Sequence, residues 1–229
     1  MRQLSQRLTL LASFAVEGKS VCDVGTDHGY LLAHFALSGK YGLVTGTDIN
    51  EKPLKNAQKN LEKLGVGNVK LVFCDGLSAV AREAADNVII AGMGGEVIAG
   101  IIERTPFLKD GSVRLILQPT TAAFYLREYL AQNGFLVERE EAVEENRKLY
   151  SVMAVSFTGE KRTLSDTEKR IGILDTGKKD NIRYIEKQYN ICQKCADDLI
   201  NVDGKEEERN RALATAIKLK AILEEADGT

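Results

Sequence analysis

Between Ser20 and Phe157 the chain alternates two hydrophobic patterns. Short apolar runs rich in β-branched residues occur at SVCDV, LVTGTD, VKLVF, NVIIAGM, VRLILQP, FLVEREEAV and LYSVMAVSF. Between them lie stretches whose apolar positions recur every three or four residues: YLLAHFALSG, KPLKNAQKNLEKLG, EVIAGIIERT and AAFYLREYLAQNG. The first set predicts strands and the second predicts helices. Most of the helical stretches stop at a glycine, as a left-handed C-terminal cap requires. Such alternation predicts an α/β fold with a parallel, doubly wound sheet. The last two strands have no helix between them. EEAVEENRKLY reads as the loop that joins them, so the seventh strand is expected to run antiparallel.

Two flanking regions carry helical patterns of their own. Near the start, Leu4, Leu8, Leu11, Ala12 and Ala15 fall on one helical face. LTLLASFAV, preceded by Arg2 and Arg7, imitates the apolar core of a secretion signal, but no small-residue cleavage site follows. An amphipathic helix of a cytoplasmic protein is the expectation. After Gly159 no β-branched run occurs. Ile182, Ile185, Tyr189, Cys192, Ala196 and Leu199 step by alternating threes and fours, which is heptad spacing with one apolar seam. Asp203-Gly204 signals a turn, and a second stripe follows at Ala212, Ala216, Leu219 and Leu223. The division expected is an α/β domain over residues 1–159 and a coiled-coil-like helical hairpin over 160–229. The hairpin either contributes to function or only packs and dimerises. Oligomeric state is open.

Composition changes this picture little. The chain has 229 residues, with 31 basic and 33 acidic side chains. Near-neutral charge demands neither nucleic acid nor an anionic surface, although it conceals how charge is distributed. No apolar run approaches a membrane span. The four cysteines form no disulfide framework and suit a reducing compartment. Cys192 and Cys195 make a lone CxxC on a predicted helix with no nearby histidine, too few ligands for zinc, so no metal is expected. Cys22 and Cys74 read as strand packing, and His34 as packing in its helix.

The chemistry concentrates at DVGTDHGY, the turn between the first strand and the next helix. Gly25 allows a tight bend and Gly29 a close approach by a ligand. A dinucleotide would place phosphate at that helix start, where Asp27 stands. Two like charges about 4 Å apart repel by roughly 4 kcal/mol at an effective dielectric near 20, on the order of a thousandfold in affinity. S-adenosylmethionine has no phosphate and carries two positive groups, so Asp23 and Asp27 attract it. Asp48, ending the second strand, suits ribose hydroxyls. Asp75, after the third strand, suits an adenine amino group, with Gly76 giving room. Three acids at the ends of three successive strands point to the ligand-binding edge of a parallel sheet.

The fourth strand ends in Gly92-Met93-Gly94-Gly95. This turn offers space and backbone groups to a flat acceptor, and it offers no base to deprotonate an amine. A ring nitrogen with a free lone pair needs none. Its methylation creates a cation that a carboxylate stabilises; Asp27 is the first candidate and His28 the second. Gly94 and Gly95 either face the acceptor or only open the next helix. Gln118, closing the fifth strand, either bonds a base edge or caps the strand.

LSQRL, DVGTDHGYL, TDINEKPLKNAQ, CDGL, IAGMGG, LILQP and the EE-N-KLYSV segment occur in this order over residues 1–157. In this the chain resembles the bacterial tRNA (adenine-22-N1)-methyltransferase family. Gly29 and Leu32 replace the Ala and Pro frequent there, which leaves the cofactor reading intact. The resemblance implies a Rossmann-like class I methyltransferase sheet that uses S-adenosylmethionine and acts on tRNA. It implies cofactor contacts from Asp23, Gly25, Thr26, Asp27, His28, Asp48, Ile49, Asp75, Gly76 and Gly92. Catalytic roles would fall to Asp27, His28, Gly92 and Met93, and substrate contacts to Arg7, Met93, Gly94, Gly95 and Gln118. Lys52, Lys55, Lys59 and Lys63, with Lys178, Lys179, Arg183, Lys187 and Lys194 on the tail, could supply phosphate contacts. The rival reading is a small-molecule methyltransferase whose hairpin is a lid or dimer contact; a further one is a non-catalytic cofactor-binding protein.

Overall fold

Hydrophobic runs with no polar alternation need a sheet covered on both faces. The computed structural model, which describes residues 4–227, has that sheet. An opening helix α1 (Gln6–Ser13) leads into β1 (Val21–Val24), α2 (Tyr30–Ser38), β2 (Val44–Asp48), α3 (Glu51–Lys63) and β3 (Val69–Phe73). Then come β4 (Asn87–Gly94), α4 (Gly95–Glu103), β5 (Arg114–Thr121), α5 (Ala123–Gln132), β6 (Phe135–Glu145) and β7 (Lys148–Phe157). Three further helices follow: α6 (Asp166–Ile171), α7 (Lys179–Asp198) and α8 (Glu206–Asp227). The strand order is β3-β2-β1-β4-β5-β7-β6. β7 runs antiparallel to both its neighbours, as expected, and the other pairings are parallel.

Each face of the sheet has its own core. Cys22, Val24, Val88, Ile90, Leu115 and Leu117 bury against α4 and α5. Val21, Ile89 and Ile116 point the other way, among Leu11 of α1 and Leu31, Leu32 and Phe35 of α2. The apolar face expected of the opening helix is present, with Leu11 and Ala12 buried in it. Arg2 lies outside the described residues.

EEAVEENRKLY is not a loop. β6 and β7 continue through it, paired from Ala142–Ser151 out to Glu145–Lys148. Asn146 and Arg147 alone turn the chain, both left-handed at φ 51° and 63°. That is the two-residue primed hairpin whose twist matches the strands. Glu140 of this segment is buried, and Arg127 meets it there at 2.6 Å.

The tail differs from a plain hairpin. α6 is an additional short helix, started by a capping box between Ser165 and Glu168. Ile185 and Cys192 of the expected seam bury against Ala216, Leu219 and Ile171, while Cys195 is half-buried. α7 also has a second, polar face, with Asn181, Tyr184 and Gln188 buried. Through it the helix docks on β6: Asn181 accepts from Ala142 N at 2.8 Å and Asp180 from Glu144 N at 3.0 Å.

Candidate functional site

The strand order reverses between β1 and β4, and a crevice opens there at the C-terminal edge. Above it the chain bends three times in the left-handed region, at Gly25 (φ 78°), Asp27 (φ 46°) and Gly29 (φ 69°). The amides of Gly25 and Thr26 pin the bend by donating to the Thr47 carbonyl at 2.8 and 3.0 Å. A Cβ on Gly29 would lie 3.1 Å from that of Ala57, so its lack of a side chain serves the approach of α3 to the turn.

A cavity of about 400 Å³ lies under this bend. Asp23, Gly25, Thr26, Asp27, His28, Gly92 and Arg7 all line it. Asp23 is 5% exposed. Burial pushes its pKa up to about 6, with the Asp48 charge adding to the rise and the Thr26 hydroxyl opposing it. Thr26 Oγ1 is buried and makes no well-formed hydrogen bond. The Asp27 carboxylate stands 3.5 Å from His28 Nε2, and both side chains are largely in solvent, at 67% and 48%.

The other acids lie along the same edge but outside this cavity. Asp48 ends β2 and accepts from the Asn50 amide at 2.8 Å. Ile49 beside it is 58% exposed. Asp75, past the end of β3, pairs loosely with Arg104 at 3.4 Å. Gly76 is not the open position expected of it. The space its Cβ would occupy lies 3.1 Å from Ile101, and its carbonyl accepts from Thr47 Oγ1 at 2.8 Å.

β4 ends in an irregular register against β5 between Ala91 and Gly94. Gly92 takes φ 80° in this bulge, and a Cβ there would meet nothing within 4 Å. Met93 folds back, its Cε only 2.5 Å from where a Cβ on Gly25 would sit. Gly95 does not face the cavity. It opens α4, is buried, and a Cβ on it would lie 2.3 Å from the Ala122 carbonyl oxygen. Gly95→Ala is therefore expected to cost about 1–3 kcal/mol through forced backbone displacement, read as a lower urea midpoint with an unchanged slope. Gly94→Ala meets only the Thr121 hydroxyl at 3.2 Å and is expected to cost less.

Gln118 neither reaches toward a base nor merely caps its strand. It is 0% exposed. Its Oε1 accepts from Arg7 Nη1 at 2.9 Å and from the Gly92 amide at 3.2 Å, and its Nε2 donates to the Pro119 carbonyl. Arg7 also donates to Glu145 at 2.9 Å and lies 5.8 Å from the centre of the Tyr150 ring. So α1, the β4 bulge, β5 and the β6–β7 hairpin are tied together beside the cavity. Glu145 and Tyr150 lie in the EE-N-KLYSV segment, but the sequence assigned no role to them or to Arg104, because their partners lie far away along the chain.

A model of the methyltransferase-domain family matches residues 4–153. Over 152 residues the chain is 34% identical to the tRNA (adenine(22)-N(1))-methyltransferase of Bacillus subtilis, covering 66% of this chain and 64% of that protein. The matched segment thus spans just under two thirds of that relative. The whole fold is similar to the crystal structure of the B. subtilis M1A22 tRNA methyltransferase, with TM-score 0.80, 26% identity and 99% of each chain covered. It is similar also to a Streptococcus pneumoniae protein crystallised with S-adenosyl-L-methionine, with TM-score 0.80, 29% identity, and 96% of this chain and 100% of that one covered.

Proposed function

Because the chain belongs to the methyltransferase-domain family, we propose that it transfers a methyl group from S-adenosylmethionine to N1 of adenine 22 in tRNA. The observation that carries the cofactor half is the buried acid of the crevice. Asp23 is enclosed, has no cationic partner among the described residues and has a raised pKa, which is the condition of a carboxyl built to meet a positive ligand group. The buried Thr26 hydroxyl beside Asp23 and the open face of Gly92 fit the same ligand. The likeness to the B. subtilis tRNA methyltransferase extends through α6–α8 and supports the tRNA half.

When bound, S-adenosylmethionine supplies an electrophilic methyl group. Asp23 would hold its amino group, Asp48 its ribose hydroxyls, and Asp75 with Ile49 its adenine. The Gly92 bulge would leave room between donor and acceptor, held in shape by Gln118 and Arg7. N1 of adenine attacks with its own lone pair, so no side chain has to remove a proton first. The product ring is cationic, and Asp27, with His28 beside it, would offset that charge. Residues 1–159 would perform the transfer and 160–229 would help seat the tRNA.

Asp27 is exposed, so its help is modest: about 1 kcal/mol for unit charges at 4 Å in water. Asp27→Asn is expected to lower the methylation rate roughly fivefold with an unchanged melting temperature. An unchanged rate would remove Asp27 from the mechanism.

The deciding experiment is transfer of labelled methyl groups to unmodified tRNA, with mapping of the modified nucleotide. Label at N1 of adenine 22 is the expected result. No transfer to any tRNA, with turnover on a metabolite, would establish the small-molecule reading instead.

A further inference from the structure

A second groove, of about 180 Å³, lies between the β5–α5 turn, the start of β7 and α7. It adjoins the proposed transfer site, because Thr120 on its wall donates to the Met93 carbonyl at 3.1 Å. Although the chain has more acidic than basic residues, no carboxylate lines this groove among the described residues. Arg170 and Lys187 both do. Neither has an ion-pair partner among the described residues: Arg170 lies over the Phe124 ring at 5.2 Å, and Lys187 reaches only the Leu149 carbonyl at 3.5 Å. Phe124 is 46% exposed, a large aromatic surface kept in water at the groove's edge. Phe124 and Arg170 also border a larger groove between α6 and α8, whose far wall carries Glu128, Asp166, Glu207 and Glu208 as well as cations; Lys187 and the β5–α5 turn belong to the carboxylate-free side alone.

N1 lies on the pairing edge of adenine, so the target nucleotide must leave its stack before it can react. Its neighbour then loses a stacking partner. An exposed aromatic ring backed by a guanidinium, with a second cation beside it, is the arrangement that stacks an unpaired base and holds its phosphate.

We infer that Phe124, Arg170 and Lys187 form a subsite for the nucleotide adjoining the target adenine, with its base on the Phe124 ring and its phosphate near Arg170 and Lys187. This rests on the tRNA reading above and names where the flanking nucleotide sits. The tail takes part through two residues, one from α6 and one from α7, and no broad basic surface is needed.

Two measurements on the full-length protein test it. In methyl transfer to unmodified tRNA, Phe124→Ala is expected to raise the KM for tRNA about tenfold, from the loss of one base–aromatic stack. The KM for S-adenosylmethionine and the kcat at saturating tRNA should stay within about twofold of wild type, and Phe124→Trp should restore the KM. An unchanged KM for tRNA, or an equal rise for both substrates, would overturn the proposal. The second readout needs no turnover. The chain contains no tryptophan, so Phe124→Trp introduces a single tryptophan that can be excited apart from the tyrosines, with Ile217→Trp on the exposed face of α8 as control. Titration with a single-stranded oligoadenylate should quench the first saturably and the second hardly at all. Equal or absent quenching would overturn the subsite. A wild-type protein that methylates no tRNA would sink the reading beneath this one, while the titration would still decide the groove.

Discussion

Asp23→Asn is expected to lose S-adenosylmethionine binding while making the protein harder to unfold above pH 6. The ordinary carboxylate value is 3.8 and burial raises Asp23 to about 6. The folded state therefore holds this proton more tightly than the unfolded chain does. That contribution is fully present below pH 4 and is lost as pH rises through 6, where the site must carry a buried charge. A shift of this size corresponds to roughly 3 kcal/mol. Asparagine removes the charge, so the variant's melting temperature should exceed wild type at pH 8 and match it near pH 4. Binding should fall by on the order of a hundredfold, the value of a charge-assisted hydrogen bond to a cationic amino group. Wild-type affinity should weaken as pH drops below about 6, because the ligand then has to expel the Asp23 proton. Calorimetric titration in two buffers of different ionisation enthalpy reads that proton directly. A variant that binds with unchanged Kd would remove Asp23 from the site.

The largest stability loss is expected at Arg127. This arginine is 2% exposed and lies on α5. It donates to Glu140 Oε1 from Nη2 at 2.6 Å and from Nε at 3.1 Å. Its Nη1 donates to the carbonyls of Lys169 and Arg170 at the end of α6, both at 2.9 Å, and Tyr184 of α7 lies at 3.4 Å from Nη2. Glu140 in turn accepts from the Ile173 amide at 3.2 Å. One buried ion pair thus joins α5 and β6 to the tail. Arg127→Met would strand a buried carboxylate, at a cost of about 3–5 kcal/mol. In a chain of this size that lowers the melting temperature by on the order of 10 °C. Arg127→Met combined with Glu140→Leu should recover much of the loss, because removing both charges costs less than orphaning one. Recovery will be partial, since the Lys169 and Arg170 carbonyls lose their donor. Equal instability of the single and double variants would show that packing, not charge, dominates at this position.

Local signals made much of the fold and part of the site legible. The sheet was readable because buried parallel strands need continuous apolar runs, and the bend because Gly25 and Gly29 can take left-handed φ. Asp23 was visible from its place at a strand end, but its burial was not. Gln118 illustrates the limit. Its position at the end of β5 was evident, while its partners Arg7 and Gly92 lie 111 and 26 residues away, and only the fold brings them together. Gly95 looked like part of an acceptor turn because the Ala122 carbonyl that fills its space belongs to another strand connection. The segment EEAVEENRKLY read as a loop because its charges do not reveal a buried partner such as Arg127, which Glu140 meets only in the fold. Helix α6 has six residues, too few for a hydrophobic period to register.

The polar face of α7 covers a sheet edge that would otherwise stand open. β6 is the outermost strand of the sheet beyond β7. The Ala142 and Glu144 amides, two residues apart, point away from β7 and are taken up by Asn181 and Asp180. An open rim of this kind is a template onto which another chain can add a strand. The tail helix therefore works as a stopper on the sheet. Its side chains mimic a neighbouring strand for two rungs without offering a further rim, and this guard against fibrous self-association would be lost with any redesign that trades Asn181 and Asp180 for a smoother apolar face.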